Sequence, residues 1–529
     1  MHGTCRLESV TTTCAQHVCA LIDGIGGSVQ TATTAIAVWA SGLRGCHPEG
    51  WMRRDTLLGP VGSHRRSVVG NATALLAAYL ALLVLIYGLG LDTLGESLHK
   101  HWQYLDLREL KQRPLTSLLY QHSQPPLLNA VVAALSQLPW QLNDAFVQLN
   151  CALVSVSCVL LFHVMRHLRV ATATAGAAAT AYLLAPATLL NAAYPFYPTM
   201  TAFLYVTLVY SFVLGERHIR IGHPLVVASL LSLSLLRTSF TLVHMVLMYG
   251  AFAYMYRDRI RRAALVGGVA LMLLGATVVP VKNLAIYGFF GSSSWSALNL
   301  ASATQVNLGL APFAPPDQVV ERFPEMARCK FHAAVDRDLR KADGYPNYNS
   351  CVTLEFSRFY RSRFLAAVSA PRYARNVVRH LRAYLAPPDK YLFLENRGAL
   401  NAYADAFNAV WLTRTFAFAN PALGAEGMET RVLAVLLICG FGLLFLKRWR
   451  RLDVLTVASG LLLAHLATHV LTDGVEGQRF VFDVEFVFYV WLAVAVTYGR
   501  ALWARLTARS PDARYRGSAD QSRSGGPVG

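Results

Sequence analysis

Apolar runs of membrane-spanning length fill much of residues 68–281 and 430–503, and two polar stretches interrupt them. One, residues 92–124, follows the first run; the other, residues 282–429, separates the two apolar blocks. A run of about 20 predominantly apolar residues is long enough to cross a bilayer as a helix. Lipid offers no partners for backbone N–H and C=O groups, so a crossing segment must satisfy them internally. The pattern predicts an all-α integral membrane fold with about ten transmembrane helices. They fall over 68–91, 144–165, 170–190, 198–215, 222–236, 239–256, 263–281, 430–446, 453–471 and 485–503.

Lys and Arg set the orientation, because short cytoplasmic loops carry an excess of both. Arg53, Arg54, Arg65 and Arg66 precede the first span. Arg166 and Arg169, Arg217 and Arg220, the group Arg257, Arg259, Arg261 and Arg262, the group Lys447, Arg448, Arg450 and Arg451, and Arg500, Arg505 and Arg509 follow later ones. With ten spans every cluster lands inside. The apolar segment 125–140 would break this alternation if it crossed, so it is expected to lie at the outer surface or enter partway. Residues 92–143 then form one long outer loop, and the insert 282–429 faces the same side.

Within the insert, Phe356, Phe359, Tyr360, Phe364 and Leu365 give a helical pattern over 354–385 that ends before Pro387-Pro388. Residues 399–419 are a second helix candidate. No strand alternation is evident, so the insert is expected to be mainly helical. The domain reading is an extension over 1–65, a membrane core over 66–281 that includes loop 92–143, the insert 282–429, a second core part over 430–509 and a tail over 510–529. The extension lacks sustained periodicity and reads as disordered or as an over-extended gene start, with Met52 a plausible beginning; the Ser-, Gly- and Arg-rich tail reads as disordered.

Composition agrees with the membrane class. The 529 residues are 54% hydrophobic and 15% charged, and the mean hydropathy is +0.37. The formal net charge of +18 sits mostly in short loops and at the ends, which the orientation rule explains without a nucleic-acid partner. Nine cysteines at scattered positions do not make a disulfide framework. Cys329 and Cys351 share the insert, and would pair if it faces an oxidising compartment or stay as two independent thiols otherwise.

Five segments together suggest a family. HWQYLD (101–106), SLLYQHSQPPLLN (117–129), LLRTSF (235–240), VKNLAIYGFFGSSSW (281–295) and EGQRFVFDVEF (476–486) occur in that order across residues 68–503. The set resembles polytopic glycosyltransferases of the GT-C superfamily, in the style of bacterial protein O-mannosyltransferases and aminoarabinose transferases. The resemblance implies a cell-envelope enzyme of the bacterial inner (plasma) membrane with its active face outside the cytoplasm. It would move a hexosyl or pentosyl group from a polyprenyl-phosphate-linked donor to a lipid, glycan or protein acceptor by an inverting displacement. The chain departs from the family where many relatives carry adjacent acids after the first span: here Asp92 precedes Thr93 and Asp106 precedes Leu107.

Such a transfer needs a carboxylate to take the acceptor proton and cations to hold the leaving phosphate. Asp106 and Asp92 are the catalytic candidates, against the alternative of solvated loop acids or helix caps. Arg237, Arg479 and Lys282 are the candidates for the donor phosphate. Arg237 interrupts an apolar run, and an ionisable group at membrane depth is by default a functional candidate. Asp483 and Glu485 flank Arg479 as expected ion-pair partners. His122 and Gln124 precede Pro125-Pro126, whose rings force an extended entry that would aim both at substrate. The aromatics of YPFYP (194–198) are expected at the outer interface as a belt.

No P-loop, GxGxxG or zinc motif is present. His465 and His469 lie four apart on one helix face without a third ligand in sequence, so no metal site is assigned, although the chemistry accommodates a divalent cation. A secondary transporter or lipid-linked sugar flippase is the alternative function. Transporters favour internal repeats and interrupted helices, and no repeat is found.

Overall fold

The structure is a computed structural model that describes residues 61–91, 103–238, 240, 242–384, 402–403, 407, 453–472 and 482–508. Asp92, Arg479, the expected span 430–446, the extension up to residue 60 and the tail lie outside the described residues, as does most of the helix candidate 399–419. Among the described residues the chain is helical, with a single isolated bridge between Arg340 and Pro346 and no strand.

Among the described residues five helices are long and apolar enough to cross a membrane: Val69–Gly88, Leu142–His167, Pro198–Arg217, Ile219–Leu236 and Arg262–Tyr287. Thr172–Leu184 and Pro186–Ala193 make a sixth if counted as one bent span, with a 48° angle between them. Leu242–Tyr256, Val454–His469 and Phe486–Arg500 are shorter apolar helices. The expected span 170–190 is therefore broken. The cause is local: Pro186 forces Ala185 into an extended conformation, φ −58° and ψ 137°, and then starts the second helix at its first position.

The surface of these helices points to lipid. In Arg262–Tyr287 only 22% of the apolar window is buried within the protein. Val266, Leu274 and Val281 on that helix, and Val243, Val246 and Leu247 on Leu242–Tyr256, all face outward. In water such surface would cost about 25 cal/mol per Å² of apolar area. A lipid environment removes that cost, and the chain is a helical membrane protein on this ground. Between Pro198–Arg217 and Ile219–Leu236 the backbones touch. A Cβ added at Gly222 would come within 2.6 Å of the Gly215 nitrogen, so the hairpin closes only with glycine at 222, while a Cβ at Gly215 would meet the Tyr256 ring of Leu242–Tyr256 at 2.6 Å.

The loop after the first helix folds into short pieces, Leu107–Gln112, Pro114–Leu119 and Leu127–Leu135. The last has 9 residues, about 14 Å of helix at 1.5 Å per residue. That is half of the roughly 30 Å hydrocarbon core, so the segment expected to stay at the surface does not cross.

The described part of the insert is mainly helical, but the single helix expected over 354–385 is split in two where Val368 turns extended, φ −76° and ψ 132°. Cys351–Ala367 and Ala370–Tyr384 are its two long helices, with Ser296–Thr304 and Pro316–Arg322 packed against the first. Phe356, Tyr360, Leu298 and Val352 form their common core. Ser350 caps Cys351–Ala367 by accepting from the Thr353 N–H. Cys329 and Cys351 are joined by a disulfide, with Cα atoms 5.7 Å apart. Arg262–Tyr287 runs past its expected end at 281 to Gly288, where a positive φ of 70° stops it. Lys282 therefore sits on the last turns of that helix rather than after it.

Candidate functional site

Arg237 ends the Ile219–Leu236 helix, and its side chain turns inward to only 5% exposure. One guanidinium nitrogen, Nη1, lies 3.2 Å from Oδ2 of Asp483, which is fully buried. Nη2 lies 3.4 Å from His469 Nε2. The guanidinium also stacks over the Tyr197 ring, 4.6 Å from its centroid. His465 Nε2 approaches the same Asp483 oxygen at 3.3 Å. The expected partner of Asp483 was Arg479; among the described residues its cation is Arg237 instead.

Hydrogen-bond roles follow from chemistry. A guanidinium only donates, so His469 must accept at Nε2 and carry its proton on Nδ1. A carboxylate only accepts, so His465 donates from Nε2. The two imidazoles, one helical turn apart with ring centroids at 4.3 Å, thus hold opposite tautomers. The second Asp483 oxygen, Oδ1, is buried with no hydrogen-bond partner among the described residues.

His465, His469 and Asp483 bring three donor atoms within 4.8 Å of one another, which supplies the third ligand that the sequence lacks. The Arg237 guanidinium already stands against two of those groups as the cation. A metal ion there would have to displace it and reverse the His465 tautomer, so the residues present fit an ion pair better than a metal.

Aromatic rings enclose the cluster. Tyr205 meets His465 edge-on at 5.6 Å and Phe240 at 6.1 Å. His244 stacks on Phe240 at 5.4 Å and shares a 2.9 Å hydrogen bond with Thr468. Tyr194, Phe196 and Tyr197 are buried rather than spread as an interfacial belt. Asn150 explains this by donating to the Tyr194 carbonyl at 2.9 Å, which pins the turn inward. Phe196 packs on Tyr197 at 4.1 Å and on Tyr104 at 6.1 Å. Through these rings the loop after the first helix reaches the Tyr197 ring on which Arg237 rests.

Asp106 has a different setting. It caps Leu107–Gln112, accepting from the Arg108 N–H at 2.8 Å and the Glu109 N–H at 3.4 Å. Its other oxygen accepts from the Ala342 N–H of the insert at 2.6 Å. Nearby Lys341 is buried, which holds its amine down to about 8, with Asp343 and Asp106 pulling the other way. Asp106 thus pins the loop to the insert, and no contact joins it to Arg237 among the described residues.

His122 sits in a clamp between loop and insert. Asn349 Oδ1 accepts from the backbone N–H of His122 at 2.9 Å and of Ser123 at 3.0 Å. Asn349 Nδ2 donates to the Tyr120 carbonyl at 3.2 Å. Ser294 donates its backbone N–H to the His122 carbonyl at 2.8 Å, and its hydroxyl meets His122 Nδ1 at 2.9 Å. The Lys282 amine donates to the Gln121 carbonyl. Burial pushes the imidazole down to about 3, helped by the charge of Lys282. Gln124 is half-buried beside it. Lys282 and His122 are thus brought together, and no contact joins either of them to Arg237 among the described residues.

The sequence reading missed the pairing of Asp483 with Arg237 and the third partner of the His465–His469 pair. Their available signal was the rarity of ionisable residues in apolar helices. A comparison with protein-family models, characterised proteins and solved structures finds no match.

Proposed function

We propose that this chain is a GT-C-type membrane glycosyltransferase that moves a sugar from a polyprenyl-phosphate donor to an acceptor on the extracytoplasmic face. The observation that carries the reading is the buried Arg237–Asp483 pair at the ends of apolar helices, resting on the Tyr197 ring that Phe196 links to Tyr104 of the polar loop. A buried ion pair is a costly arrangement whose net stabilisation is small. A site that must receive a phosphate and a proton has a use for it.

In the proposed reaction the acceptor oxygen bonds to the sugar anomeric carbon as that carbon's bond to the phosphate oxygen breaks. Arg237 turns from Asp483 to the departing phosphate, for which its fork is suited. Asp483 takes the acceptor proton, with His465 holding the carboxylate. Asp106 remains the rival base on the loop. Arg479 and Asp92 complete the set of candidate groups.

A ten-span topology goes with this reading. It is supported by the pairing of basic segments at the opposite helix ends, where His167 meets Glu216 at 3.2 Å and Arg259 donates to the Gly215 carbonyl at 3.1 Å. A bacterial inner membrane is the setting the reading requires.

Transfer of labelled sugar from polyprenyl phosphate in membranes tests it, with Arg237→Gln, Asp483→Asn and Asp106→Asn compared at equal abundance. Loss with the first two and retention with the third is the expected result. Unchanged transfer with both Arg237→Gln and Asp483→Asn would defeat the site.

The break at Pro186 favours a second reading, a transporter or flippase, since interrupted helices often line transport sites. Movement of a lipid-linked sugar across vesicles without any transfer product would select it.

A further inference from the structure

The helix Ala370–Tyr384 carries Arg372, Arg375, Arg379 and Arg382 and not one acid in its 15 residues. Arg372, Arg375 and Arg379 stand at i, i+3 and i+7, which places them on a single face of the helix. All three are exposed. Like charges at such spacings repel and destabilise an isolated helix. Three arginines elsewhere in the insert do have an acid: Arg337 has Asp338 at 2.8 Å, Arg340 has Asp317, and Arg358 has Glu355. Among the described residues no acid pairs with Arg372, Arg375 or Arg379.

The adjoining face, one residue on, fixes where this stripe points. Tyr373 donates its hydroxyl to the Leu471 carbonyl at 2.7 Å, at the end of the apolar helix Val454–Thr472. Asn376 donates to the Ala303 carbonyl at 3.3 Å, and His380 is buried. Val378, 50% exposed, and Leu471 add apolar surface beside the stripe. An outward row of arginines therefore stands where an apolar helix ends, with apolar side chains next to it. That is the arrangement of an element lying in the headgroup layer.

We infer that the Arg372–Arg375–Arg379 face binds the headgroups of anionic lipids in the leaflet that covers this end of the protein. The phosphates supply the countercharge that no acid among the described residues gives this row of three. The inference stands on the membrane fold and not on the transferase reading, so a chain inactive in sugar transfer can still pass its test.

Native mass spectrometry of the full-length protein in detergent would measure retention of phosphatidylglycerol against phosphatidylcholine of equal chain length. The wild type is expected to prefer phosphatidylglycerol. The triple variant Arg372→Gln, Arg375→Gln, Arg379→Gln is expected to lose about tenfold or more in apparent affinity. The matching triple lysine variant is expected to keep most of it, and raised salt to weaken the wild type. Equal retention of the two lipids by the wild type would overturn the inference, and this readout needs no variant to fold. Undiminished retention by the glutamine variant, or an equal loss in the lysine variant, would also overturn it. So would full displacement by inorganic phosphate at equal concentration, which would mark a free-anion site.

Discussion

Two polar clusters are built from similar side chains and behave differently. Around His122, the bonds of Asn349, Lys282, Tyr287 and Ser293 run mostly to backbone carbonyls and N–H groups. Around Arg237, the bonds run between charged or titratable side chains, and one oxygen of Asp483 is left over. Side chains that satisfy backbone fix a path for the chain. Side chains that satisfy one another can exchange partners without unfolding anything. The first cluster is the clamp that joins loop to insert, and the second is the place where a ligand can compete for a charge.

The sharpest way to break this contrast is Asp483→Asn. It should lower transfer by about 100-fold or more, as loss of a proton acceptor does. It should also destabilise the fold by about 3–5 kcal/mol, because Arg237 is left buried without its anion. Transfer rates normalised to folded protein check the first, and denaturant or thermal unfolding in detergent checks the second. A loss of stability with full transfer would reduce the Arg237 cluster to a structural pair.

Next in size, Asn349→Ala removes the acceptor of two buried N–H groups and a donor to a buried carbonyl. A cost of about 2–3 kcal/mol is expected from such unsatisfied groups. Opening of the loop, read as faster proteolysis between residues 103 and 126, should accompany it. Asp106→Asn tests the clamp more gently. Asparagine still caps the helix but loses one of the two acceptors, at a cost of about 1 kcal/mol for the Ala342 N–H, and a far larger fall in transfer would restore Asp106 as the base.

The smallest effect is the pH dependence carried by His122. In the fold its imidazole stays neutral down to about pH 3, whereas in an unfolded chain it takes a proton near pH 6.5. Between these values the unfolded state binds the extra proton, so acidification lowers stability. The fall in unfolding midpoint from about pH 7 to about pH 5 should be smaller in His122→Gln than in the wild type. Equal falls would mean that His122 is not the group kept neutral.

Much of the fold was legible because lipid leaves the backbone no choice. The helices Pro198–Arg217 and Ile219–Leu236 and the short helix Leu127–Leu135 follow from apolar run length and the placement of arginines. The Cys329–Cys351 pairing stood in the sequence as one of two alternatives, and the fold forms it. The break at Pro186 was overlooked because the run is apolar on both sides of it. For the site, Arg237 stood out as a cation in an apolar run. Asp483 did not, since Arg479 lies only one turn away in sequence and claimed it.

What the sequence determined alone was the helical class and the segregation of polar from apolar segments, since both follow from backbone hydrogen bonding and transfer free energy residue by residue. Which acid faces which base was decided by the tertiary structure. Arg237 and His469 are 232 residues apart and meet because helix ends pack side by side. In a dry interior a charge must find its countercharge wherever the packing brings one, and no local pattern records that meeting.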